Sequence, residues 1–130
     1  MISLLGEHSA SFLRIISVVT LVAFAVPISL APLAWARVLR WEVDAKPDLA
    51  LYFGRCLGVV ALVLVWAGWH AAANPPLQPF YFNMLIASTG LLALVHIIGA
   101  VQRVQPWTET AEIPFWAGLM LLALMFYPAG

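Results

Sequence analysis

The chain reads as an all-α, polytopic membrane protein, with four transmembrane helices and one short interfacial amphipathic helix in a single domain over residues 1–130. Three observations predict this. Hydrophobic residues make up 64% of the 130 and charged residues only 9%, where a soluble domain carries about a quarter charged residues. The mean hydropathy is +0.98. Apolar runs alternate with proline-rich or polar breaks, and the length leaves room for about four spans of roughly 20 residues. Nothing is left for a large extramembrane catalytic domain. The formal net charge is zero, so no nucleic-acid partner is expected. The expected partners are the lipid bilayer and other membrane protein subunits.

The first span is predicted from about Phe12 to Leu30, with Pro27 inside it and Pro32 beyond it. Proline removes a backbone donor and kinks or ends a helix, so the span ends near Leu30. Ala34-Trp35-Ala36 has the small-x-small spacing of a signal cleavage site. The acidic Glu7 in the leading tail argues for a retained span instead. Pro32 to Val43 forms an amphipathic piece, with Arg37 and Arg40 on one face and Trp35 and Leu39 on another. Tryptophan beside arginine at a span end suits the headgroup zone, so this piece is expected on the membrane surface and not as an extension of the first span.

Asp44 to Asp48 is polar and turn-prone, and Asp48 is placed to cap the next helix. The second span is predicted over Leu49 to Ala72 and is stopped by Asn74-Pro75-Pro76. The third runs from Phe80 to Gln102. A polar connection, Arg103 to Glu112, leads to a shorter fourth span from Ile113 to Tyr127. Arg37, Arg40, Lys46, Arg55 and Arg103 all fall toward the first and third connections, against Arg14 alone on the other side. The positive-inside rule then puts those connections in the cytoplasm and both termini outside. The expected location is the bacterial cytoplasmic membrane.

Arg55 lies about six residues inside an apolar stretch, flanked by Gly54 and Gly58. Glycines four apart let a neighbouring helix approach closely. The plain reading is a packing face with a snorkelling arginine. The sharper one turns Arg55 into the bundle to meet an anion, a lipid headgroup or a carboxylate. His96 lies seven residues before Arg103, roughly 10 Å into the third span, and Glu112 opens the fourth from the same side. Arg55, His96 and Glu112 therefore form a candidate polar layer, with Arg55 expected to pair with Glu112 because an unpaired buried charge is costly. Cys56, the single cysteine, is expected as a buried small side chain.

His70 ends the second span beside Trp66 and Trp69 and reads as part of an interfacial aromatic belt. It stands roughly 22 Å from Arg55 along the helix, so His70 and His96 cannot share a metal or haem iron. A single-histidine pigment or haem contact stays open for either. No metal-binding or nucleophile–base motif occurs, so no catalytic residue and no metal ligand is assigned. Quinone, lipid or pigment contact is left open.

From Tyr52 onward the chain resembles small four-helix bacterial membrane proteins of the DoxX-like type. The residues that carry the likeness are Tyr52-Phe53-Gly54-Arg55-Cys56-Leu57-Gly58, the break at Asn74-Pro75, His96, and Glu109 with Glu112. Ala31-Pro32-Leu33-Ala34-Trp35-Ala36-Arg37 also resembles the amphipathic piece after the first helix of uncharacterised relatives. The resemblance implies a four-helix bundle in the cytoplasmic membrane, and some members of that family are linked to quinone-dependent thiosulfate oxidation. No catalytic residue is carried over.

The sequence thus favours a non-catalytic accessory or structural subunit of a larger membrane complex, redox or photosynthetic. The alternatives are the membrane subunit of a quinone-linked oxidoreductase and a small-molecule or proton transporter. An enzyme or quinone site should show a pocket opening between helices at that layer, whereas an accessory subunit should bury one or two outer helix faces against different proteins.

Overall fold

A computed structural model describes residues 3–128. Every regular element among them is helical. The helices are α1 (Ser9–Thr20), α2 (Val26–Leu30), α3 (Pro32–Val38), α4 (Asp48–Ala73), α5 (Gln78–Gln102), α6 (Trp107–Ala111) and α7 (Ile113–Met125). Three continuous helical stretches are long and apolar enough to cross a membrane: Gly6–Leu30, Asp48–Ala73 and Pro75–Gln102. The fourth predicted span is shorter. With 13 residues, α7 measures about 20 Å, against roughly 30 Å of hydrocarbon.

Pro27 shapes the first stretch. It has no N–H to offer Ala23, and its ring crowds that carbonyl. Leu21–Ala25 accordingly widens into a π-helical turn, in which Val26 N–H reaches back to Leu21 O. Trp35 Nε1 donates to Ala23 O at 3.1 Å and so supplies the missing partner. The stretch breaks at Ala31 (φ −139°, ψ 59°), where Pro32 starts α3. The expected bend after Leu30 is therefore present. The helix beyond it ends at Val38, earlier than Val43, because Arg40 adopts a left-handed conformation (φ 64°) and Trp41 N–H closes on Ala36 O.

Small residues let α4 pack tightly. Gly58, Ala61, Gly68, Ala71 and Ala72 are its buried positions. A Cβ on Gly58 would stand 2.6 Å from Ser29 Cα in α2, and one on Gly54 would meet Pro32. The glycine pair is thus a packing face, as its spacing implies. Asp48 does not cap α4. The N-cap residue is Pro47, and Asp48 is the first helical residue, where its charge still favours the helix N-terminus. At the other end Asn74 Nδ2 donates to His70 O at 2.7 Å, closing the helix before the prolines.

The core gathers at one end of the bundle. Leu13, Ala71, Ala72, Tyr81, Phe82 and Ala123 pack there, with Phe12 stacked on Phe126 at 4.7 Å. Ser9 donates to Gln78 Oε1 at 2.7 Å within it. Both ends of the described chain meet at this core, where Leu5 N–H bonds Met125 O at 2.9 Å and Ser3 Oγ donates to Tyr127 O at 2.7 Å. Toward the opposite end α1 and α2 lie along α4, and α5 lies along α7. The consecutive helices α4 and α5 touch sparsely, leaving a separation that becomes the cavity described below.

The connection from Arg103 to Glu112 explains why α7 is short. Arg103 is left-handed (φ 56°), and Val104 N–H closes on Gly99 O, which turns the chain back along α5. Gln105 then folds over Gly99, where any side chain would collide with it, and donates Nε2 to His96 O at 2.9 Å. The connection re-enters the bundle, so α7 starts at the depth of His96 and covers only the rest of the way.

Candidate functional site

The inward face of α5 carries Thr89, Ala93, His96 and Gly99, which follow helical spacing. The re-entrant connection brings Glu109 and Glu112 to the same level. His96 Nε2 lies 3.0 Å from Glu109 Oε2 and 3.5 Å from Glu112 Oε2. The three donor atoms all fall within 4.8 Å of one another. His96 is buried, and Glu109 and Glu112 are partly so.

Each member is held from behind. His96 Nδ1 lies 2.7 Å from Leu92 O. Trp41 Nε1 donates to Glu109 Oε1 at 2.7 Å, and Trp116 Nε1 donates to Glu112 Oε2 at 3.1 Å. Thr108 Oγ1 donates to Leu39 O, and the Arg40 guanidinium sits over the Trp107 ring, 5.6 Å from its centre. These bonds tie the first connection to the third and steady the tryptophan that orients Glu109.

Both ring nitrogens of His96 face oxygen acceptors. A backbone carbonyl cannot donate, so Nδ1 carries a proton toward Leu92 O. A neutral ring would then present the Nε2 lone pair to Glu109. The 3.0 Å approach requires a positive species between them: a proton on the imidazole, a proton on the carboxyl, or a cation.

The trio lies at one end of a cavity of about 720 Å³. Its walls come from all the long helices, including Thr20 and Phe24, Leu57 and Val60, Ser88 and Leu92, and Leu119 of α7. They are mostly apolar, and the indoles of Trp35, Trp41 and Trp116 join the trio at the polar end. No lysine or arginine lines it. Leu57 and Val60 are wall residues, yet 50% and 54% exposed, so the cavity opens sideways past α4. Deeper along the wall, Tyr81 donates to Leu64 O at 2.9 Å. Ser17 Oγ is buried without a hydrogen-bond partner, the one such side-chain atom among the described residues.

The structure unites His96 and Glu112 as the sequence places them, and adds Glu109. It does not bring in Arg55. That side chain is exposed and forms no ion pair with any acid among the described residues. Gly54 and Gly58 turn the packed face of α4 toward α2 and α3, so Arg55, between them in sequence, lies off that face. Cys56 is likewise exposed, not buried. His70 stacks on Trp66, one turn away, with centres 5.6 Å apart. Trp41, Gln105 and Trp116 escape sequence reasoning as site residues, and Glu109 enters it only through the resemblance. The available signal was the three-residue spacing of Glu109 and Glu112, which puts both on one side of a helical turn.

No protein-family model, no curated protein and no solved structure matches this chain.

Proposed function

We propose that the chain is a small integral membrane protein that holds a lipophilic molecule with a quinone-type headgroup in the interhelical cavity, the head lying against His96, Glu109 and Glu112. The observation that carries this reading is the cavity, apolar along its length and polar at one end. Its volume, about 720 Å³, lies within the roughly 300–1,000 Å³ of small-molecule sites. A purely packing subunit gains nothing from such a space, because unfilled cavities lower stability. A ligand-binding role therefore stands ahead of the accessory one. Quinone carbonyls accept hydrogen bonds, and the donor at the polar end is a proton held between His96 Nε2 and the carboxyls, because the indole N–H groups of Trp35, Trp41 and Trp116 are already bonded to Ala23 O, Glu109 and Glu112. The reading rests on the cavity and not on the DoxX-like resemblance.

In this reading α7 and the re-entrant connection together make the fourth crossing. The two chain ends meet at one end of the bundle, which supports an even number of crossings. The basic residues of the first and third connections favour their own side, opposite the chain ends, as cytoplasmic.

Trp35, Trp41 and Trp116 line the cavity, so a bound quinone should quench them. The test is a titration of the detergent-purified chain with a short-tailed ubiquinone, read by tryptophan fluorescence. Saturable quenching at one quinone per chain is expected, reduced in Trp116→Phe. Quenching that grows linearly and matches free indole in the same micelles would overturn the proposal.

A further inference from the structure

We propose that His96, Glu109 and Glu112 form a binding site for a divalent transition metal, with His96 Nε2 and one oxygen of each carboxylate as ligands and a remaining coordination position facing the cavity. This goes beyond the ligand reading and stands without it, since the metal binds whether or not the cavity is filled.

The geometry points there first. Ligand atoms about 2.0–2.2 Å from a metal stand roughly 3.0–3.5 Å apart in octahedral or tetrahedral sites. The separations from Nε2 are 3.0 Å and 3.5 Å. The shorter also suits a hydrogen bond, but the longer is stretched for one. The supporting shell is the second indication. A metal-bound histidine almost always gives its other N–H to a carbonyl or carboxylate, and here Nδ1 faces Leu92 O at 2.7 Å. Trp41 and Trp116 orient the two carboxylates in the same way.

Charge decides between a shared proton and a metal. Two carboxylates face one imidazole, and no lysine or arginine pairs with either among the described residues. One proton added to the trio leaves it with a net negative charge beside an apolar cavity. A divalent cation brings it to neutrality, the cheaper state where water is scarce. The nitrogen ligand favours zinc or iron(II) over calcium or magnesium, which prefer all-oxygen sites. The cavity side supplies room for a water or a ligand oxygen at the open position.

The test uses the full chain in mild detergent, stripped with chelator and titrated with Co²⁺, whose visible absorption reports coordination. One Co²⁺ per chain is expected, displaced by Zn²⁺ and accompanied by proton release, because the ion replaces the proton shared within the trio. Glu109→Gln and Glu112→Gln should each weaken binding by roughly 10-fold or more. His8→Gln with His70→Gln should leave it unchanged. Quinone quenching is measured in parallel, so the two proposals fail separately. Absence of Co²⁺ bands in the wild-type chain would overturn the site, whatever the variants do. So would binding that persists at full strength in both glutamine variants, or binding lost with the two remote histidines.

Discussion

The Trp35 indole donates at 3.1 Å to the carbonyl of Ala23, the acceptor that Pro27 leaves without its helical partner. A side chain on α3 thus repairs a gap in the preceding helix and anchors α3 beneath the π-helical turn. Phe24 meets the same indole edge-on at 5.2 Å. Trp35→Phe should keep much of that aromatic contact and lose the bond, costing about 1 kcal/mol. In a Pro27→Ala background the helix can make its own bond to Ala23, and the same change should cost much less. Unfolding midpoints of the four proteins of this cycle measure the coupling. Equal costs in the two backgrounds would refute the repair.

Gly58 and Gly118 should respond oppositely to alanine. A Cβ on Gly58 meets the Ser29 backbone, whereas one on Gly118 finds nothing within 4 Å. Gly58→Ala should cost about 1–3 kcal/mol, as overpacking does. Gly118→Ala should be neutral or stabilising by up to about 1 kcal/mol, through helix propensity alone. Thermal midpoints in one detergent compare them directly.

Arg55→Gln should cost about 1 kcal/mol or less, the scale of an exposed group. Had Arg55 paired with Glu112 as the sequence suggests, losing either partner would cost roughly 3–5 kcal/mol. Chemical unfolding of Arg55→Gln and Glu112→Gln separates the two arrangements. A loss of several kcal/mol in both would mean that the pair forms.

The long helices were legible because their signal is local. Apolar runs and the breaks at Ala31-Pro32 and Asn74-Pro75 depend on neighbouring residues, and the three long stretches end at Leu30, Ala73 and Gln102, within one residue of their predicted ends, though the first and third begin earlier than predicted, at Gly6 and Pro75. The re-entrant connection was not legible. It depends on Arg103 in a left-handed turn and on Gln105 settling over Gly99, a contact that no periodicity announces. Depth counted along each helix brought His96 and Glu112 to one layer. It could not say which way Arg55 faced, because that is decided by Gly54 and Gly58 against Pro32 and Ser29.

Sparse contact between α4 and α5 carries a consequence for selectivity. On the proposal that the cavity holds a lipophilic ligand, a molecule that enters past Leu57 and Val60 has already dissolved in the bilayer. Lipid therefore performs the first sorting and turns away solutes that stay in water before any side chain meets them. Occupancy then follows the concentration of the compound within the membrane, and two ligands of equal intrinsic fit will differ in apparent affinity by the ratio of their partition coefficients.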